Sequence, residues 1–240
     1  MNAARNARGF SLLELAIVLA IIGFLLGGLL PTISSQVEQQ RRSETAVRLK
    51  EINDALQGYA IINGYLPCPT TTTDPANANY GLADATCSAN PAAEGYLPWR
   101  TLGVSQTDPW GLQRATSGAA WTGYWRYRVD RNFANSGTPI TLSTGFNAGD
   151  KLSIVDNSAT AITPAPAGCL AASPTAECPI VIVFSTGPNV TADGQNASFE
   201  TGGTPGIYQS DIPSSTFDDI MIWISRPQLF NRMVSAGKLP

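Results

Sequence analysis

The sequence predicts an α+β fold in which one long amino-terminal helix precedes a β-rich domain with long loops. Three observations support this prediction. An apolar run leads into an amphipathic segment with no Gly- or Pro-rich turn of several residues between them. Short runs rich in β-branched and aromatic residues, such as Tyr124–Val129 and Pro179–Phe184, predict strands in the second half of the chain. Stretches rich in Pro, Gly, Asn and Thr separate those runs, and 240 residues suffice for one globular domain besides the helix.

The first element is an apolar run, Phe10 to Leu30, that follows a short basic leader. As a helix it would be about 31 Å long, enough to cross a bilayer. Arg5 and Arg8 precede it with no acidic residue, so the amino terminus is expected to stay cytoplasmic. A secretory signal peptide is the alternative, although its apolar core would be shorter. The one charge in the run, Glu14, would cost roughly 2.5–3.5 kcal/mol at membrane depth, which marks it as a functional candidate.

The helix is expected to continue beyond Pro31 to residue 63. Pro31 would kink it, and the alternative is that the helix ends there. Residues 32–63 contain no other Pro and carry apolar side chains at spacings of mostly three or four, which predicts an amphipathic helix. Gly64 supplies the stop. The stripe consists of Val37, Leu49, Ile52, Leu56, Tyr59 and Ile62.

The remainder of the chain predicts loops, strands and a final helix. A small, polar loop covers residues 70–93, and the turn Asp108-Pro109-Trp110-Gly111 comes before the first strand. The predicted strands are Tyr124–Val129, Lys151–Val155, Pro179–Phe184 and Ile220–Ile224. An amphipathic tail helix over Arg226–Leu239 is expected to cover the domain.

Four cysteines lie outside the predicted membrane span, an even number that favours disulfides in an oxidising compartment. Of the three connectivities we favour Cys68–Cys87 and Cys169–Cys178, because each encloses a short loop. A metal site is the alternative, but the chain has no Cys-x-x-Cys and no His.

The composition argues against two functional classes. The absence of His removes the commonest general base, and the Ser, Asp and Glu residues form no recognisable nucleophile-and-base set, so no enzyme is expected. A net charge of -3 is a poor footprint for electrostatic DNA binding, so no nucleic-acid partner is expected.

The junction Arg8-Gly9-Phe10-Ser11-Leu12-Leu13-Glu14 resembles the prepilin cleavage and methylation motif. The resemblance implies that a peptidase cuts after Gly9 and methylates the new terminus, Phe10. Glu14 would be the fifth mature residue. A long helix with a Pro at the depth of Pro31, packed on an antiparallel sheet, is also similar to the type IV pilins and the pseudopilins of type II secretion. The implied fold is therefore pilin-like.

This resemblance implies an order of segments and a life history. Residues 1–9 would be the leader, 10–30 the transmembrane and assembly half of the helix, 31–63 its amphipathic half, and 64–240 the exported domain. The subunit would cross the bacterial inner membrane once, with its domain in the periplasm, and then join a periplasmic or surface filament. The implied partners are other pilin or pseudopilin subunits, prepilin peptidase, the inner-membrane assembly platform and, before assembly, membrane lipid.

In such a filament the Glu14 carboxylate would offset the positive charge of the Phe10 amine of the preceding subunit. Gly23, Gly27 and Gly28 would let helices approach closely. The alternative is a membrane-anchored adhesin or binding module, or a DNA-uptake pilin. Four clustered aromatics could then bind a ligand, although a Trp-rich core also explains them: Trp99, Trp110, Trp121 and Trp125.

The order Ser-x-Gly, Asp-Gly, Gly-Gly, Asp-Asp-Ile and Trp is similar to the calcium-binding end of the major pseudopilin sheet. It implies a Ca²⁺ site built from Asp193, Asp218 and Asp219, with Ser185 or main-chain carbonyls nearby. The family's loop is compact, whereas more than twenty residues separate Asp193 from Asp218 here. The alternatives are turn or capping aspartates, or aspartates paired with Arg126 or Arg128. No cofactor is otherwise required.

Overall fold

The structure is a computed structural model that describes residues 11–87, 94–165, 168–169, 177–200 and 206–240, without the side chains of 25–33, 94 and 199–200. The predicted cleavage junction, Gly9–Phe10, therefore lies outside the described residues, as does part of the predicted loop over 70–93. The chain forms two compact units, residues 1–43 and 44–240.

Helix α1 runs from Leu12 to Asn63. It continues through position 31, so the alternative in which the helix ends at Pro31 is wrong, while the kink stays a prediction because that side chain is not described. In the first unit Glu38 and Arg42 form an i,i+4 ion pair at 2.8 Å. Among the residues whose side chains are described, no helix is both long enough and apolar enough to cross a membrane. The predicted span includes Phe10 and the side chains of 25–30, which are not described.

In the second unit the apolar stripe of α1 is only partly as predicted. Leu49, Ile52 and Leu56 are buried, and the helix ends where Gly64 adopts a φ of +82° and donates its N–H to the carbonyl of Ala60. Ile62 is 76% exposed. Six residues turn a helix by about 600°, so Ile62 points about 120° away from Leu56 and misses the core.

The membership of Val37 in the stripe is also wrong. This side chain is 43% exposed and belongs to residues 1–43, outside the unit whose core the stripe fills.

The main sheet has four antiparallel strands, which confirms the α+β class and the antiparallel sheet. Its order is β1-β2-β4-β6, and Tyr127 lies opposite Val183 while Ile182 lies opposite Trp223. The strands are β1 (Glu94–Tyr96), β2 (Arg126–Val129), β4 (Pro179–Ser185) and β6 (Ile220–Ser225).

A second, two-stranded sheet is parallel, which the sequence does not predict. It joins β3 (Ser153–Val155) to β5 (Ile207–Gln209). Every residue of β4 is buried because both faces of the main sheet are covered. Val181 and Val183 face a core shared with α1, whereas Ile182 and Phe184 face the second sheet.

The described residues contain three further α-helices: α2 (Trp99–Leu102), α3 (Ala197–Glu200) and α4 (Arg226–Ser235). The predicted tail helix is thus present and ends four residues earlier. Its apolar side Leu229, Phe230 and Met233 is buried in the main core. Arg232 donates to the amide oxygen of Gln57 on α1 at 3.1 Å, which ties the tail to the long helix.

Both favoured cysteine pairs are disulfides in the structure. The Cα–Cα distance is 5.6 Å for Cys68–Cys87 and 5.8 Å for Cys169–Cys178, and all four side chains are buried. No described cysteine is free.

The aromatic side chains mostly build the interior. Trp99 and Trp125 are 6% and 1% exposed, and the half-buried Trp121 stacks on Tyr96 with ring centroids 3.8 Å apart. Arg114 covers Trp121 at 3.9 Å. The packing of these rings therefore supports the core interpretation of the clustered tryptophans over a ligand-binding one.

Candidate functional site

The described chain begins with a reciprocal cap on the long helix. The Ser11 amide donates to the Glu14 carboxylate at 3.1 Å, and the Glu14 amide donates to the Ser11 hydroxyl at 3.2 Å. This is a capping box, in which two otherwise unsatisfied amides at the start of the helix gain acceptors. Our sequence reasoning missed this role, although the Ser-x-x-Glu spacing is its signal.

The predicted close-approach glycines lie along the same helix. A Cβ added to Gly23 would meet no atom within 4 Å, so this position leaves open space on the helix surface. Gly27 and Gly28 fall among the residues whose side-chain surroundings are not described.

A second candidate site is an acidic cluster beside the end of β4. Asp193 lies in the loop after β4, and Asp218 and Asp219 lie directly before β6. One carboxylate oxygen from each residue lies within 4.8 Å of the others. Asp218 and Asp219 are buried, and Asp193 is half-buried. The structure therefore brings together the three carboxylates that the sequence singles out, despite their separation along the chain.

Reciprocal main-chain hydrogen bonds hold the two segments together. The Asp193 amide donates to Asp219 Oδ2 at 2.9 Å, and the Asp218 amide donates to Asp193 Oδ2 at 2.9 Å. The Asn189 side chain donates to both oxygens of Asp193 at 3.1 Å, and its main-chain amide donates to Asp218 Oδ2 at 3.3 Å. The long excursion between residues 194 and 217 thus leaves the cluster intact, since its two ends are bonded to each other.

The loop that supplies Asp193 needs unusual backbone conformations. Gly187 adopts a φ of +60°, and a Cβ at this position would overlap the Asp218 carboxylate. Val190 also has a positive φ, +57°, which is an outlier for a β-branched residue. The loop is therefore shaped around the carboxylates.

Asp219 has the most unusual environment in the cluster. Its side chain is 3% exposed, Oδ2 accepts two N–H groups, and Oδ1 is buried with no hydrogen-bond donor among the residues that the structure describes. Burial, reinforced by repulsion from Asp193 and Asp218, raises the pKa of Asp219 to about 7 against the hydrogen bonds that lower it. A hard cation takes carboxylate oxygens as ligands and would satisfy this oxygen, so the donor set fits Ca²⁺.

The structure also gives the partners of the other polar side chains that the sequence analysis considered beside the cluster. Ser185 donates its hydroxyl to Asp108 Oδ2 at 2.5 Å and accepts the Gly187 amide, so this hydroxyl is already hydrogen-bonded and its place beside a cation stays a prediction. A buried hydroxyl is satisfied by a nearby carboxylate, here that of Asp108.

Among the ion pairs of the described residues, none joins Arg128 to the acidic cluster. Arg128 pairs instead with Asp150 at 2.9 Å. Arg126 donates to the main-chain carbonyls of Trp121 and Tyr124.

Comparison with known proteins adds one match, at the amino terminus. Residues 4–30 match the family model described as the prokaryotic N-terminal methylation motif. The chain carries the type IV pilin and pseudopilin signature. No curated protein and no solved structure matches the chain.

The pilin and pseudopilin signature encloses both the Gly9–Phe10 junction and the Ser11–Glu14 capping box. It indicates a type IV pilin-like or pseudopilin-like protein, and its family consists of structural subunits rather than enzymes. The signature does not extend to the acidic cluster, for which the geometry above is the only support.

Proposed function

We propose that the chain is a structural subunit, a pilin or pseudopilin, of a type IV pilus-like or type II secretion filament. The observation that carries this proposal is the match of residues 4–30 to the methylation motif, a segment in which Glu14 follows Phe10 by four residues. Prepilin peptidase removes residues 1–9 and methylates Phe10. Residues 10–30 and 31–63 then form the assembly and amphipathic halves of the helix, and 64–240 form the exported domain.

Before assembly, residues 10–30 anchor the subunit in the inner membrane and the domain lies in the periplasm. The exposed apolar side chains at the start of α1 support this step, since Leu12, Leu13 and Phe24 are 87%, 71% and 86% exposed. Such a surface needs lipid or other helices to cover it. The assembly platform then transfers the helix from lipid to neighbouring subunits.

In the filament, the Glu14 carboxylate pairs with the Phe10 amine of the preceding subunit. Both charges lie in a helical bundle away from water, where an unpaired charge is costly. Each subunit contacts the next through different surfaces, so the assembly is open and helical. The capping box supports this role because it holds the Glu14 carboxylate at the amino-terminal end of the helix, beside the Ser11 amide.

Mass spectrometry of the protein from cells that contain prepilin peptidase tests the proposal. The mature chain should begin at N-methyl-Phe10. Gly9→Ala should still be cut, since Ala is small, whereas Gly9→Leu should block cleavage. An intact Met1 terminus in the unmodified protein would overturn the proposal.

The acidic cluster binds Ca²⁺ in this proposal, through Asp193, Asp218 and Asp219. The observation that favours it is the buried Asp219 Oδ1 without a donor. When bound, the cation supplies positive charge that offsets the three carboxylates and links the 185–196 loop to the start of β6. The exported side of a membrane can supply calcium at concentrations that even a site of low affinity would bind.

Thermal melting of the full chain in detergent tests calcium binding. A ligand at 100 times its dissociation constant stabilises the folded state by about 2.7 kcal/mol. Melting should therefore occur several degrees higher in calcium than in chelator, and Asp218→Ala should remove the difference. Asp74→Asn is the matched control, because the exposed Asp74 carboxylate accepts a local amide from Ala76 and an Asn side chain can do the same. Equal melting temperatures in calcium and chelator would leave the aspartates with a turn-forming role.

A further inference from the structure

Asn196 joins the acidic cluster to the second sheet through a single buried amide. It is fully buried at the end of the short 3₁₀ turn Gly194–Asn196. Its Nδ2 donates to Asp219 Oδ2 and to the main-chain carbonyl of Gln209, both at 2.9 Å. Its Oδ1 accepts the Gln209 main-chain amide at 2.8 Å. Both N–H groups and the carbonyl of this side chain are therefore in use.

The bond to Asp219 decides which carboxylate oxygen faces the cluster. Oδ2 accepts two donors, the Asn196 side chain and the Asp193 main chain, both at 2.9 Å. These two bonds fix the plane of the carboxylate and occupy one oxygen. Oδ1 is left as the oxygen that accepts no hydrogen bond. In metal sites, such outer hydrogen bonds orient the ligand before the cation arrives.

The bonds to Gln209 fix the end of the second sheet. Gln209 is the last residue of β5. The Asn196 side chain accepts the main-chain N–H of Gln209 and donates to its main-chain carbonyl, as the backbone of a neighbouring strand would. The turn is also packed tightly there, since a Cβ on Gly194 would overlap the Gln209 side chain. β5 in turn pairs with β3, whose Ile154 is fully buried against the main sheet.

We propose that Asn196 is a positioning residue that couples cation binding at Asp219 to the order of β5. A bound cation restrains Asp219 Oδ1 and, through Oδ2 and the Asn196 amide, restrains the main chain of Gln209. Loss of the Asn196 side-chain amide lets the Asp219 carboxylate rotate. It also removes the link between the cation site and β5. This inference rests on the calcium site proposed above.

Calorimetric titration of the full chain in detergent with CaCl₂ is the first test. Asn196→Ser removes the bond to Asp219 and should weaken calcium binding by about tenfold or more, the size seen for outer-shell residues of metal sites. Ile154→Ala is the matched control, because it weakens the same second sheet by creating a cavity without touching the cluster. The melting temperature of Ile154→Ala should fall, while its calcium affinity stays within about twofold of that of the unmodified chain. This result is expected if calcium affinity depends on the direct bond to Asp219 and not on the stability of the second sheet.

Hydrogen exchange of the unmodified chain is the second test and needs no variant to fold. Calcium should slow exchange of the Gln209 main-chain amide, which donates to Asn196. The Asp130 main-chain amide, which donates to the Ile180 carbonyl in the main sheet, should exchange equally with and without calcium.

The outcomes separate the inference from the calcium site itself. No heat of binding by the unmodified chain would overturn the calcium site and this inference together. Calcium binding with unchanged affinity in Asn196→Ser, or with unchanged exchange at Gln209, would overturn the inference and leave the calcium site standing. An equal loss of affinity in Ile154→Ala would also overturn it, because general loosening of the sheet would then explain the effect.

Discussion

Ser11 and Glu14 cap each other at the start of the long helix, with distances of 3.1 and 3.2 Å between the main-chain nitrogen and the side-chain oxygen. The same carboxylate is proposed to pair with the amine of a neighbouring subunit. Glu14 therefore has two separable properties, a hydrogen-bond acceptor for its own helix and a negative charge for its neighbour. Ordinary truncation of Glu14 removes both at once.

A set of three variants separates the cap from the charge. Glu14→Gln keeps a capping-box acceptor and loses only the charge, and it should abolish filament assembly as fully as Glu14→Ala or Glu14→Leu does. Breaking a buried ion pair costs about 3–5 kcal/mol. Ser11→Ala should cost only about 1 kcal/mol at the helix terminus and should still assemble. Sheared filament yield, measured against membrane-inserted subunit, checks these outcomes, and normal assembly by Glu14→Gln would contradict the charge role.

The stability of the calcium-free protein should fall as the pH rises from 5 to 8. The pKa of Asp219 is raised from 3.8 to about 7, so the neutral carboxyl is favoured in the folded state. The contribution of Asp219 to the free energy of unfolding is complete below about pH 4 and is lost as the pH rises through 7. The loss is about 1.4 kcal/mol per pH unit between the unfolded-state and folded-state pKa values. Burial also raises the pKa of Asp130 to about 7, so part of the slope has another source. Asp219→Asn should remove its own share of the slope in calorimetric melting.

Calcium should change this pH dependence in a definite direction. A cation favours the ionised carboxylates, so its stabilising effect should be larger at pH 8 than at pH 5. A calcium effect that is equal at both values would count against Asp219 as a ligand.

Reduction of the two disulfides should destabilise the domain that follows the long helix. The paired cysteines are 19 and 9 residues apart, and closing a loop of about 15 residues is worth roughly 3 kcal/mol. Denaturant titration with and without reductant should show the loss, and Cys68→Ser with Cys87→Ser should reproduce the part due to the first pair. Non-reducing peptide mapping should link Cys68 to Cys87 and Cys169 to Cys178. Crossed linkages would be inconsistent with the fold described above.

Asp150 should be among the most sensitive polar residues of the core. Its carboxylate is fully buried and binds Arg128 and Arg131, both at 2.9 Å. Asp150→Ala leaves the buried Arg128 without this partner and should lower the free energy of unfolding by about 3–5 kcal/mol. Asp54→Ala is the control, because its contact with Arg232 is exposed and long at 3.8 Å, and such pairs contribute about 0–1 kcal/mol. Equal losses in the two variants would show that burial of the pair is unimportant.

Much of the fold could be predicted because its main elements have strong periodic patterns. The long helix, the buried strand β4 and the tail helix each follow a pattern that a single sequence displays, and β6 is a continuous apolar run. The disulfide pairing could be favoured because each pair closes a short segment. Ile62 was misplaced because it follows Leu56 by two successive spacings of three through Tyr59, and each spacing of three falls about 60° short of a full turn, so that Ile62 lies about 120° from Leu56.

Other features depend on contacts that leave no local pattern. β5 has three residues, too few for periodicity, and its parallel pairing with β3, which lies within the predicted strand Lys151–Val155, joins segments more than fifty residues apart. Three aspartates could be singled out, but their convergence depends on main-chain bonds between residues 193 and 218–219. The part played by Asn196 depends on the partners of one buried amide, which its sequence neighbours do not reveal.

The local pairing of the cysteines has a consequence for the order of events during export. If the chain is translocated as proposed, residues near the anchor emerge first, so Cys68 and Cys87 reach the oxidising side before Cys169 and Cys178. The first cysteine of each pair then finds its correct partner in the next cysteine to emerge. Successive oxidation yields the observed linkages with no reshuffling of mismatched bonds, and the domain can complete its covalent maturation while its helix still waits in the membrane.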